Sequence, residues 1–196
     1  MAADSMHPSR RRALARLGTG LGAIALWPYV SEQGAEAFAR IQATAAPPAP
    51  VFLTPAEFAA VDLVAETIIP TDAQSPGARA ARVADYIDLL LSESDADLQR
   101  GWRDGLVALD RASTTRFSRP FAGLSADEAT SLLTAAAANE LDPKTPLEQF
   151  FRTAKDATIR GYYTSEIGIH QDLKYQGNKF LTEFVGCTHP EHGFQK

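Results

Sequence analysis

The chain has 196 residues, of which 45% are hydrophobic and 22% charged, with a formal net charge of −5. That balance is ordinary for one globular domain and excludes a disordered chain or a multi-span membrane protein. From Val51 onward 14 basic residues stand against 21 acidic ones. So acidic a body excludes a nucleic-acid binder, because phosphate recognition draws on clustered Lys and Arg.

The chain opens with a segment of different character. Residues 1–16 carry Arg10, Arg11, Arg12 and Arg16 against Asp4, and an apolar stretch of about 14 residues follows from Leu17 to Val30. A spanning helix needs ~20 apolar residues, and Gly18, Gly20 and Gly22 weaken this one further. The pattern is that of a targeting segment, which is set aside before fold reasoning. Ser9-Arg10-Arg11, followed by the apolar pair Ala13-Leu14, resembles a twin-arginine (Tat) export signal, with Ala13 where Phe is usual. A Sec signal and an uncleaved N-terminal anchor are the alternatives. Small-x-small cleavage candidates lie at Ala35-Glu36-Ala37, Ala37-Phe38-Ala39 and Ala43-Thr44-Ala45, and the Pro/Ala run 45–50 reads as a semi-rigid linker. The expected division is therefore a signal and linker over 1–46 and a helical domain over 47–196.

Five helices are expected in that domain. Thr54 as N-cap, Pro55 at the first helical position and Glu57 three residues on from the cap open the first. Phe58, Val61, Val64, Ala65 and Ile68 give it a helical stripe, and Pro70 ends it. The second, at about 79–93, buries Val83, Tyr86, Ile87, Leu90 and Leu91. The third, at about 95–115, starts at Asp95 or Ser94 and buries Leu98, Trp102, Leu106 and Leu109. A capping box from Ser125 to Glu128 opens the fourth, with Leu132, Leu133 and Ala136 inward. The fifth, within 142–165, buries Leu147, Phe150, Phe151, Ala154 and Thr158. No run has the period-2 alternation of a strand, so the fold class is all-α, an irregular helical domain.

Few residues are arranged for chemistry. The chain has no dinucleotide fingerprint, no haem or cluster cysteine motif and no nucleophile elbow. Tyr162, Glu166 and His170 stand at i, i+4, i+8, an acid, a base and a phenol on one face if a helix ran through them. Gly161 and Gly168 interrupt it, and polar residues at a helix end are the plainer reading. Near the C-terminus, Cys187, His189 and His192 offer three ligands for zinc, which takes four, or three plus water. Sequence shows no fourth ligand, and nothing orients His189 as a base for Cys187. A single cysteine in an exported chain is a candidate for an intersubunit disulfide, and a free buried thiol is the alternative.

From Tyr162 to the end, at about 162–196, aromatic residues alternate with glycines. Tyr162, Tyr163, Tyr175, Phe180 and Phe184 are the expected anchors of an extended docking tail, with Glu166 beside them, since protein interfaces are enriched in aromatic anchors. A short turn is expected over 169–175.

The phrases "LTPAEFAAVDLVAETIIPTD", "GYYTSEIG" and the terminal "GCTHPEH", together with the leader, resemble the gluconate 2-dehydrogenase subunit 3 family. Its members are the small, often Tat-signalled subunits of membrane-associated FAD-dependent sugar and polyol dehydrogenases. The resemblance implies a non-catalytic chain with no cofactor of its own. Its partner would be a large GMC-type flavoprotein that holds FAD, and a multihaem cytochrome c would carry haem c as a further subunit. It also implies escort through the Tat translocase to the periplasm, with association to the inner membrane through the complex. In that setting Ser9, Arg10, Arg11 and Leu14 form the export signal. Cys187 is the candidate intersubunit tether. The competing expectation is a stand-alone periplasmic enzyme or a metal protein built on Cys187, His189 and His192.

Overall fold

The structure, a computed structural model, describes residues 31–44, 49–175 and 177. Among them there are helices and no strand. In chain order they are α1 (Glu32–Gln42), α2 (Pro55–Ile68), α3 (Gly77–Ala80), α4 (Val83–Ser92), α5 (Ala96–Phe117), a 3-10 turn (Phe121–Gly123), α6 (Ala126–Ala137), α7 (Pro146–Tyr163) and a π turn (Ile167–Asp172). The all-α expectation holds, and all five expected helices are present.

Side-chain caps fix where these helices begin. Thr54 and Glu57 form a reciprocal capping box ahead of α2, and Ser125 and Glu128 do the same for α6. A third box, Thr145 with Glu148, opens α7 behind Pro146. Each satisfies backbone N–H groups that the first helical turn leaves without partners. Asp95 caps α5 by accepting from the amides of Asp97 and Leu98.

The expected helix over 79–93 is broken in two. Arg82 lies in the left-handed region at φ 57°, ψ 40°, ending the one-turn α3 and starting α4. That conformation costs a residue with a Cβ roughly 1 kcal/mol or more. Its guanidinium offsets the cost by pairing with Asp85 and by donating to the carbonyls of Ile41 (2.5 Å) and Thr44 (3.2 Å).

The core is one cluster. Val61, Val64 and Ala65 of α2 meet Val83, Ile87, Leu90 and Leu91 of α4, Trp102 and Leu109 of α5, Leu132 and Leu133 of α6, and Phe150, Ala154 and Tyr162 of α7. Each large aliphatic member contributes about 1.5–3 kcal/mol by leaving water. Helices α5 and α7 pack closely enough that a Cβ on Gly105 would meet the Phe150 ring at 2.2 Å. The ring of Trp102 stands edge-on to Phe150 at 5.5 Å.

Two features of this frame have no signal in hydrophobic periodicity. Asp88 is 4% exposed and accepts the amides of Val51 (2.6 Å), Phe52 (3.0 Å) and Leu53 (2.7 Å), tying the approach to α2 onto α4. Helix α1, in the stretch that sequence grouped with the leader, packs along α4 with Phe38 5% exposed.

Candidate partner-docking surface

Helix α7 ends at Tyr163 in a tightly fastened turn. Thr164 donates its hydroxyl to the Arg160 carbonyl at 2.7 Å. Ser165, fully buried, donates its hydroxyl to the Tyr162 carbonyl at 2.6 Å and accepts from the Gly168 amide at 3.0 Å. This turns the chain into the π turn Ile167–Asp172. Gly168 sits against the Tyr162 carbonyl oxygen, which an added Cβ would meet at 2.1 Å, and Gly161 sits against the Tyr86 ring, at 2.7 Å by the same measure. The glycines that interrupt the expected helical face are thus points of closest backbone approach.

A second segment is locked to this turn. In the loop between α2 and α3, Asp72 accepts the amides of Gln74 and Ser75, both at 2.7 Å, and its own amide donates to the Ser75 carbonyl at 2.8 Å. Those two amides hold the Asp72 carboxyl below its ordinary range. Glu66 accepts the Thr71 amide and hydroxyl and the Arg79 amide. Gly77 takes φ +81°, and its backbone packs on Thr71. The Ser75 hydroxyl then shares a 2.7 Å hydrogen bond with the Tyr162 hydroxyl. The stretches "IIPTD" and "GYYTSEIG", far apart in sequence, are joined through this loop.

The expected anchors fall into three groups. Tyr162 is fully buried and bonded to Ser75, so its ring is core and offers no surface to a partner in this conformation. Tyr163 (39% exposed), Glu166 and Tyr175 (50%) are at the surface. Phe180, Phe184 and Cys187 lie outside the described residues, as do His189, His192 and the leader residues Ser9, Arg10, Arg11 and Leu14.

The exposed anchors have apolar neighbours that sequence reasoning missed. Ile159 (38% exposed) precedes Tyr163 by one helical turn on the same face of α7. The Tyr163 hydroxyl bonds the Asp172 carboxylate; burial and then that carboxylate raise its pKa above the ordinary tyrosine value. Leu173 (59% exposed) and Tyr175 follow the π turn, the Tyr175 amide bonded to the Ile169 carbonyl at 2.9 Å. Four large exposed apolar side chains thus lie on the C-terminal part of α7 and the segment that follows its π turn. Leu173 carried no signal in the sequence, because it sits past the helical stripe.

The Tyr162, Glu166 and His170 set does not assemble. Tyr162 points inward, whereas Glu166 and His170 are exposed, and His170 Nδ1 is paired with the Tyr175 carbonyl at 3.3 Å. A cleft of about 430 Å³ between α5 and α7 is lined by Trp102, Phe150, Asp97, Asp104, Gln149 and Thr153, without a nucleophile–base pair. Among the described residues no group of three His, Cys, Asp or Glu side chains could hold a metal ion, and no helix is long and apolar enough to cross a membrane.

The family model described as gluconate 2-dehydrogenase subunit 3 matches residues 55–180, from the first residue of α2 to beyond the π turn. No curated protein and no solved structure matches the chain.

Proposed function

Because the chain belongs to the gluconate 2-dehydrogenase subunit 3 family, we propose that it is the non-catalytic small subunit of a periplasmic, membrane-associated, FAD-dependent sugar or polyol dehydrogenase. It stabilises the large GMC-type flavoprotein, which holds the FAD, and carries it through the Tat translocase on its own Arg10-Arg11 signal. A multihaem cytochrome c is the further partner that takes the electrons, and the complex holds this chain at the inner membrane.

The observation that carries the docking half is the apolar group Ile159, Tyr163, Leu173 and Tyr175 on a turn fastened by Ser165, Gly168 and the Ser75–Tyr162 bond. A surface set rigidly before binding loses little conformational freedom on association. Glu166 stands exposed beside it as a polar rim. The export half rests on the leader residues Ser9, Arg10, Arg11 and Leu14. Cys187 is the proposed tether to the large subunit.

Co-expression of this chain with a large flavoprotein of this dehydrogenase type tests both halves. Active flavoprotein is expected in the periplasm only with the intact chain. An Arg10→Lys/Arg11→Lys variant is expected to leave the flavoprotein in the cytoplasm, still bound. Periplasmic activity with that variant would refute the escort role. Failure of the two chains to co-purify would refute the docking role. Separate chains on non-reducing electrophoresis would remove the Cys187 tether.

A further inference from the structure

We propose that residues 31–44 remain part of the folded, mature protein, and that docking of α1 onto α4 shields the small-x-small sites Ala35-Glu36-Ala37 and Ala37-Phe38-Ala39 from processing. This inference goes beyond the small-subunit reading and takes from it only the export step that would bring the chain to a peptidase.

The two helices form an antiparallel pair clasped at both ends. At one end Ser31 donates its amide (2.9 Å) and its hydroxyl (3.0 Å) to the Glu93 carboxylate at the end of α4, while its hydroxyl also caps α1 by accepting from Gly34. In the middle Phe38, 5% exposed, stands edge-on to Tyr86 at 5.3 Å. At the other end Arg82, its side chain 14% exposed, donates to the carbonyls of Ile41 and Thr44, and Gln42 donates to the Ala81 carbonyl at 3.3 Å. A cation on the last carbonyls of a helix also opposes the negative end of its dipole. Arg82 holds its left-handed backbone while making these bonds, and such a conformation persists only where its surroundings over-determine it.

Two of the sites lie wholly within this clasp, and the third enters it through Ala43 and Thr44, its Ala45 lying outside the described residues. Ala35-Glu36-Ala37 and Ala37-Phe38-Ala39 lie within α1, and Phe38 is its buried anchor. In Ala43-Thr44-Ala45, the Ala43 amide bonds the Ala39 carbonyl, and Thr44 bonds Ile41 and Arg40 as well as Arg82. Peptides recognised through main-chain hydrogen bonds bind extended, so α1 must unfold locally and leave α4 before either site within it can be hydrolysed. Export of an already folded chain would present it in the docked state. The family match begins at residue 55, and α1 lies ahead of it.

The test is the N-terminus of the full chain, expressed with its own leader and recovered from both cytoplasm and periplasm, by intact mass and N-terminal sequencing. A terminus at or before residue 31 is expected; one at 38, 40 or 46 overturns the proposal. A chain found only in the cytoplasm would fail the escort reading alone, so the purified full chain is also digested with elastase, which cuts after small residues. Cleavage within 35–45 is expected at least tenfold faster in a Phe38→Ser/Arg82→Gly variant than in the wild type. Equal rates would show that docking does not protect the sites and would overturn the proposal. If the double variant does not fold, Arg82→Gly alone is digested instead; it frees the Ile41 and Thr44 carbonyls and suits the left-handed backbone, and the same comparison applies.

Discussion

Replacing Tyr162 by Phe removes one hydroxyl and leaves the buried ring in place. The lost bond, at 2.7 Å to Ser75, joins segments 87 positions apart. A neutral hydrogen bond contributes about 1 kcal/mol net, and an orphaned buried partner costs more. Ser75 is not orphaned, since its oxygen still accepts from the Gly77 amide at 3.2 Å. The loss should therefore stay near about 1 kcal/mol, which corresponds to a fall in Tm of roughly 2–4 °C for a domain of this size. Thermal and urea unfolding of the wild type, Tyr162→Phe, Ser75→Ala and the double variant would close a double-mutant cycle. A coupling of about 0.5–1 kcal/mol is expected for two residues in direct contact. A coupling of zero would refute the stapling of the loop to α7. Loss of partner binding with no change in stability would refute the reading of Tyr162 as core.

Other perturbations follow from the same geometry. Gly168→Ala places a Cβ 2.1 Å from the Tyr162 carbonyl oxygen, so the π turn must shift. A loss of about 1–3 kcal/mol, as for overpacked sites, is expected in the urea midpoint together with weaker partner capture. Asp88→Ala leaves the amides of Val51, Phe52 and Leu53 without their acceptor. It should cost about 3 kcal/mol, and Asp88→Asn, which keeps one carbonyl oxygen, less. Asp72 has a carboxyl held below its ordinary value by the Gln74 and Ser75 amides. Its contribution is therefore fully present above the unfolded value of 3.8 and is lost as pH falls through the lower folded value. Comparing Asp72→Asn with wild type should show a stability difference at pH 6 that shrinks as pH falls below 3.8. A difference independent of pH would contradict the carboxylate's role.

The helices were readable because their signals are local. Caps at Thr54, Asp95 and Ser125 and stripes such as Val83, Tyr86, Ile87, Leu90 and Leu91 depend on neighbours within a turn or two, and four of the five helices appear where expected, the second starting only at Val83. The break at Arg82 was not readable, because it is stabilised by the carbonyls of Ile41 and Thr44 about forty residues earlier. Helix α1 was hidden for a related reason. Ala35, Ala37, Ala39 and Ala43 match a cleavage pattern, and only the position of Tyr86 reveals that Phe38 has a core to enter. Of the residues that sequence grouped as docking anchors, Tyr163, Glu166 and Tyr175 are exposed, whereas Tyr162 is buried. Adjacent residues at a helix end point in different directions, and Ser75 decides which tyrosine faces inward.

Photo-crosslinking tests the docking surface most directly. A benzophenone amino acid placed at Tyr163, Leu173 or Tyr175 of the co-expressed chain should give an adduct with the large flavoprotein. The same group at Leu141, fully exposed in the loop between α6 and α7, or at Val107, exposed on α5, should give none. Adducts at Leu141 or Val107 with none at 163, 173 and 175 would contradict the assignment.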